Sequence, residues 1–90
     1  MFSSIKFGTA SASSGFSTLT GYSVTETTKA AAAVVTFRNA ASGTVLWTVN
    51  LVAGETTSEQ FGQNPVVAEY GGTFYVSVDS GTVQYAVFGK

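Results

Sequence analysis

The sequence predicts a single all-β domain, a small antiparallel β-sandwich of seven or eight short strands. Three observations lead there. A chain of 90 residues has room for one domain. Its composition holds 13 Thr, 12 Val, seven Phe and four Tyr, against three Leu and three Lys. The first group fits pleated, half-buried surfaces, whereas Leu and Lys favour helix. Apolar and polar residues also alternate in short runs broken by turn residues. That spacing belongs to a sandwich or a small barrel.

Residues 1–20 read differently from the rest. Phe2, Ile5 and Phe7 precede Thr9-Ala10-Ser11-Ala12-Ser13-Ser14-Gly15, a stretch of small uncharged residues with linker composition. The expectation is an N-terminal arm with a flexible Ser/Ala/Gly segment over 1–20, and a sandwich over 21–90. The arm would reach a neighbouring subunit or lie as an edge strand; a frayed terminus is the plain alternative.

From Tyr22 the period-two signal is persistent. Tyr22, Val24 and Glu26 share one face of a strand, and Ser23, Thr25 and Thr27 the other. Ala33, Val35 and Phe37 alternate with Val34, Thr36 and Arg38. The run Ala30-Ala31-Ala32-Ala33 has helix propensity, but strand-like Val34-Val35-Thr36-Phe37 follows at once. It is read as a strand start whose small side chains allow close approach. Val45, Trp47, Val49 and Leu51 then alternate with Leu46, Thr48 and Asn50. Residues 57–61 make another short strand, and Pro65 interrupts any ladder before Val66-Val67. Phe74, Val76 and Val78 alternate with Tyr75, Ser77 and Asp79, and Val83, Tyr85 and Val87 with Gln84, Ala86 and Phe88. Asp79-Ser80-Gly81-Thr82 between them reads as a hairpin loop, with Gly81 at positive φ. The expected core is Tyr22, Val24, Val35, Phe37, Val45, Trp47, Val49, Leu51, Phe61, Phe74, Val76, Val78, Val83 and Val87.

Composition narrows the function. With no His and no Cys, the usual zinc sites, disulfides and Cys or Ser–His nucleophiles are absent from the chemistry available. A net charge of −1 with four basic residues offers no electrostatic grip on nucleic acid or anionic lipid. Residues 1–6 lack a basic start followed by an apolar run, so no signal peptide is expected. The small-apolar run 30–35 is too short to span a bilayer. Nucleic-acid and membrane partners are therefore not expected.

Candidate chemistry is sparse. Glu55 and Glu59 are four apart, but one follows a turn glycine and the other lies among Thr, Ser and Gln. Solvated positions explain both better than acid–base catalysis does. Asp79 is the sole Asp and reads as a turn residue, so no calcium loop, no other metal site and no cofactor is expected. The aromatics Trp47, Tyr22, Tyr70, Tyr75 and Tyr85 invite a glycan-platform reading. Trp47 falls on the apolar face of its strand, and core is its simpler assignment. Tyr75 points outward by alternation; with Tyr70 it would form an exposed aromatic patch of the kind that marks a protein interface. The interface candidates are Phe2, Ile5, Phe7, Tyr70 and Tyr75.

The order of turns and strands from Gly21 onward resembles a family of small proteins of tailed bacteriophages. The similarity is carried by Gly21-Tyr22-Ser23-Val24-Thr25-Glu26-Thr27-Thr28, Gly43-Thr44-Val45-Leu46-Trp47-Thr48-Val49-Asn50-Leu51, Ala53-Gly54-Glu55-Thr56-Thr57, Phe61-Gly62 and Gly71-Gly72-Thr73-Phe74-Tyr75-Val76-Ser77-Val78-Asp79-Ser80-Gly81-Thr82-Val83. None of these segments is a catalytic signature, and residues 1–20 fall outside the match. The sandwich is expected to be jelly-roll-like, and the resemblance implies a non-enzymatic virion role. That role is a head-decoration (capsid cement) protein made in the host cytoplasm and bound to the capsid surface. Its implied partners are the major capsid protein and sister copies, as a homo-oligomer such as a trimer. The rival expectations are a tail or fibre module gripping a host glycan and a bacterial surface β-domain.

Overall fold

In the computed structural model, residues 4–41, 43–68 and 72–90 are described. They form nine strands: β1 (Ser4–Gly8), β2 (Ala12–Ser13), β3 (Thr18–Glu26), β4 (Ala33–Arg38), β5 (Val45–Leu51), β6 (Thr56–Gln60), β7 (Val66–Val67), β8 (Tyr75–Ser80) and β9 (Val83–Gly89). Two antiparallel sheets result. Sheet A has the order β1-β9-β3-β6, with β7 also pairing β3, and sheet B has the order β2-β8-β4-β5. The all-β antiparallel sandwich expected from the alternation is the fold observed.

The inward-facing residues meet as the alternation requires. Val24, Tyr22, Val83, Tyr85 and Val87 of sheet A pack against Ala33, Val35, Phe37, Val49, Leu51 and Val76 of sheet B, with Leu19 and Phe74 at one end. The aromatics stack in series: Tyr22 to Phe37 with centroids 5.3 Å apart, and Phe37 edge-on to Phe74 at 6.2 Å. Offset and edge contacts of this kind add to the burial itself.

Three expectations need correction. The boundary at residues 20/21 falls inside β3, and residues 4–20 are built into both sheets. β1 pairs β9 from Ser4↔Gly89 to Gly8↔Tyr85, and β2 pairs β8. The small residues 11–15 are held by hydrogen bonds in place of side-chain bulk. The Ser14 hydroxyl donates to the Phe74 carbonyl (2.8 Å) and accepts from the Phe16 amide (2.9 Å), while the Phe74 amide donates to the Phe16 carbonyl (3.0 Å). A serine turn gives the backbone partners that a composition argument does not see.

Second, the loop after Asp79 is no hairpin. β8 lies in sheet B and β9 in sheet A, so the chain crosses the sandwich there. Gly81 makes the crossing possible at φ 80°, where a Cβ would sit 2.6 Å from that of Ala33. Ala33 is buried beneath this turn, which is the close approach expected of the alanine run, although the strand begins only at Ala33.

Third, Trp47 and Val45 are not core. They are 37% and 41% exposed on β5, an edge strand of sheet B. Register slips between Phe37 and Arg38, so Phe37 opposes Trp47 while Arg38 opposes Val45. The edge position leaves Trp47 open to solvent although it is in register with Phe37, and the slip beyond that pair displaces Val45. Of the other expected core residues, Phe61 and Val78 pack only partly buried against it.

Truncating the central ring tests this core. Phe37→Ala should destabilise the domain by about 3–5 kcal/mol in urea unfolding, whereas Val67→Ala, at an exposed site, should change it by less than about 0.5 kcal/mol.

Candidate interaction surface

The outer face of sheet A is built from cross-strand rows. One row runs Ile5, Phe88, Gly21, Gln60; the next runs Phe7, Ala86, Ser23, Ser58. Gln84, Thr25 and Thr56 continue the face. None of these residues is charged. Ile5 and Phe7 are 51% and 69% exposed, beside half-buried Phe88. A shallow hollow of about 200 Å³ lies next to Phe7, lined by Ser23, Thr25, Gln84, Tyr85 and Ala86.

Local chemistry fixes this face. The Tyr85 hydroxyl donates to the Ala10 carbonyl (2.7 Å), pinning the turn that leaves β1. A Cβ at Gly8 would come within 2.5 Å of that hydroxyl oxygen, so glycine is needed there. Burial pushes the Tyr85 phenol above its ordinary range, with Tyr75 adding to the effect. The hydroxyls across the face satisfy one another: Thr25 and Thr56 Oγ1 lie 2.8 Å apart, and Ser58 donates to Ser23 at 3.1 Å. Covering groups already paired costs little, because none is left orphaned.

Sheet B presents a different outer face. Asp79 accepts from Ser77 Oγ (2.6 Å) and Thr36 Oγ1 (2.9 Å), and lies 3.6 Å from Arg38 Nη2. The Ser77 hydroxyl first, then Thr36 and the Arg38 guanidinium, hold the Asp79 carboxyl below its usual range. Arg38 also donates through Nε to Thr36 Oγ1 (3.0 Å) and through Nη1 to the Gly43 carbonyl (3.3 Å). The expectation for Asp79 is a turn residue that hydrogen-bonds the backbone of a hairpin loop. It sits instead in β8, where strand alternation puts it on one face with Ser77, and Thr36 joins them from the neighbouring strand opposite Ser77.

The expected interface residues therefore divide. Ile5 and Phe7 come together on sheet A. Tyr75 lies opposite Arg38 in sheet B, away from them and half-buried. Phe2 and Tyr70 lie outside the described residues. Sequence reasoning missed Phe88, Ala86 and Gln84 as neighbours of Ile5 and Phe7. Their alternation with Val83, Tyr85 and Val87 marked them as outward, but only the β1–β9 pairing shows what lies beside them.

Trp47 closes the gap between β5 and β6, the edges of the two sheets. Its ring meets Phe61 edge-on, with centroids 4.9 Å apart, and its indole N–H donates to the Tyr22 hydroxyl (3.1 Å). One side of the indole is thus committed inward and the rest faces solvent.

The acids do not converge. Among the described residues no three His, Cys, Asp or Glu side chains are grouped. Glu59 is exposed, and Glu55 accepts from the Val52 amide (2.9 Å) to close the β5–β6 turn. Glu26 is the unusual one, 1% exposed. Its carboxylate accepts from the Thr28 hydroxyl and from the amides of Thr28 (3.1 Å), Lys29 (2.7 Å) and Gly54 (3.0 Å). These bonds, the Thr28 hydroxyl foremost, outweigh burial and lower its pKa from 4.5 to about 2. A carboxylate so saturated is an anchor for two loops and a poor proton donor near neutral pH.

No family model, curated protein or solved structure matches the chain.

The Glu26 anchor has a pH signature. In the unfolded chain the carboxyl takes up its proton near pH 4.5, while the folded form resists to about 2. Its stabilisation is complete above pH 4.5 and is lost as pH falls through that window; Asp79, also lowered, acts in the same direction. Thermal unfolding across pH 7 to 2 should show a falling Tm that Glu26→Gln lowers at neutral pH and flattens at the acid end.

Proposed function

We propose that this chain is a non-enzymatic structural protein of a tailed-phage particle. In this reading it is a head-decoration protein that lies on the capsid surface and stiffens the shell by adhesion. The observation that carries the reading is the uncharged outer face of sheet A, where Ile5, Phe7 and Phe88 stand beside a strip of mutually bonded hydroxyls. Such a face binds by burying apolar area, roughly 25 cal/mol per Å². Charged residues make up only 10% of the chain, against a usual value of about 25%. The strand order from Gly21 onward supplies the phage context by resemblance, with the major capsid protein and sister copies as partners.

One observation favours a second reading. Trp47 is 37% exposed with Val45 beside it, a surface on which a host glycan ring would stack. That reading makes the chain a tail or fibre binding module. The committed indole N–H leaves it without its polar contact, so the sheet A face remains the better-supported surface.

The two separate in one experiment. Purified protein mixed with undecorated capsid shells should co-sediment at saturable stoichiometry in about 1 M salt, where the Debye length is about 3 Å. Replacing Ile5 and Phe7 together by Ser should abolish co-sedimentation while the domain still folds. Absence of shell binding, with retention on a glycan column that Trp47→Ala abolishes, would move the function to host recognition.

A further inference from the structure

We infer that copies of this chain join edge to edge, the β1 edge of one copy pairing antiparallel with the β6 edge of the next. Sheet A then continues from molecule to molecule. The inference concerns contacts between copies and does not rest on a capsid shell.

The edge strands β1 and β6 are matched in length and direction, with the two-residue β7 lying beyond β6 along the same edge. β1 and β6 each have five residues. Successive pairs β1–β9, β9–β3 and β3–β6 are all antiparallel, so β1 and β6 run in opposite directions. A second copy placed beside the first in the same orientation thus brings β6 antiparallel to β1. Among the described residues neither outer edge is paired, and edges of this kind recruit strands. Sheet B lacks the match, because one of its edges is the two-residue β2.

Register follows from the rows already present. Within one copy Ile5, Phe88, Gly21 and Gln60 lie in line, as do Lys6, Val87, Tyr22 and Glu59, and Phe7, Ala86, Ser23 and Ser58. Continuing these rows without stagger sets Lys6 opposite Glu59 of the next copy, Ile5 opposite Gln60 and Phe7 opposite Ser58. Every residue keeps its own side of the sheet, as pairing requires. Lys6 is the one charge on β1 and Glu59 the one charge on β6. Neither has an ion-pair partner among the described residues. The unstaggered register therefore neutralises both.

The charges also disfavour the symmetric alternative. Two β1 edges paired about their centre oppose Lys6 to Lys6, and like charges directly opposite are destabilising. A head-to-tail contact closes into a ring when the turn between copies divides a circle, and otherwise grows into a filament. The sheet's own twist of about 20–25° per strand contributes to that turn.

The test uses the purified wild-type chain alone. Sedimentation velocity should show concentration-dependent self-association. Lys6→Glu and Glu59→Lys should each weaken it about tenfold, through loss of attraction and gain of repulsion, and the double variant should restore it. Circular dichroism checks that the variants fold, Glu59 being exposed and Lys6 half-buried on an edge strand. A second readout uses the chain's lack of Cys. Copies with Ile5→Cys mixed with copies with Gln60→Cys should oxidise to a linked dimer. Within one copy these positions are three strands, about 14 Å, apart, beyond disulfide reach. A monomer at all concentrations to about 1 mM, self-association indifferent to both reversals, or no cross-link would each overturn the inference.

Discussion

A single buried carboxylate sets the geometry of one end of the sandwich. Glu26 ends β3, and its oxygens hold the amides of Thr28, Lys29 and Gly54. Those amides belong to the two loops that cross there, one from sheet A to β4 and one from β5 to sheet A. Lys29 takes φ 60°, a left-handed conformation that costs a side-chain-bearing residue about 1 kcal/mol or more. Its bond to Glu26 holds it there. Gly54, at φ 76°, lies so close to Lys29 that an added Cβ would meet its side chain at 3.3 Å. Sheet spacing, loop course and backbone strain at this end are thus tied to one ionised group. An ion in this setting is tolerable only because each of its contacts is a hydrogen bond.

The two outer faces solve opposite problems. Sheet B carries a charged cluster that is closed upon itself, with Arg38, Thr36, Ser77 and Asp79 using their polar atoms on one another. Sheet A carries no charge on its outer face. It leaves apolar rings at one edge and self-paired hydroxyls toward the other. Removing water from the first face would require breaking or desolvating an ion pair, whereas removing it from the second releases water from apolar area. The proposed adhesion through sheet A follows from that asymmetry.

Much of this is legible in the sequence. β4 and β9 alternate strictly and lie mid-sheet, so period two placed Val35, Phe37, Val83 and Val87 in the core. Trp47 alternates just as strictly, but a pattern cannot reveal that its strand is an edge or that register slips at Arg38. Glu26 shared a face with Tyr22 and Val24 in the sequence; that coincidence was the available signal that a carboxylate is buried. The turn at Gly81 was visible, but not its destination, because a short loop serves a hairpin and a crossing between sheets equally well. Ser14 shows the limit on the other side. Its small size reads as linker, while its hydroxyl is what orders the segment. For the interface, Ile5 and Phe7 were found by exposed hydrophobicity alone, whereas their neighbours Ala86 and Phe88 required a pairing across some eighty positions of sequence.

That pairing also dictates an order of events during synthesis. β1 emerges well before the strand it must join, β9, which spans residues 83–89. β3 likewise has β9 as its neighbour toward β1, so the centre of sheet A stays open until β9 is made. At about 5–20 residues per second, Ile5 and Phe7 wait several seconds without their native neighbour. Contacts so distant along the chain slow folding, because loop closure precedes their reward. Over that interval the nascent segment must be kept from sticking to other chains. The inward-facing Lys6 between the two apolar residues is the gatekeeper the sequence provides for it.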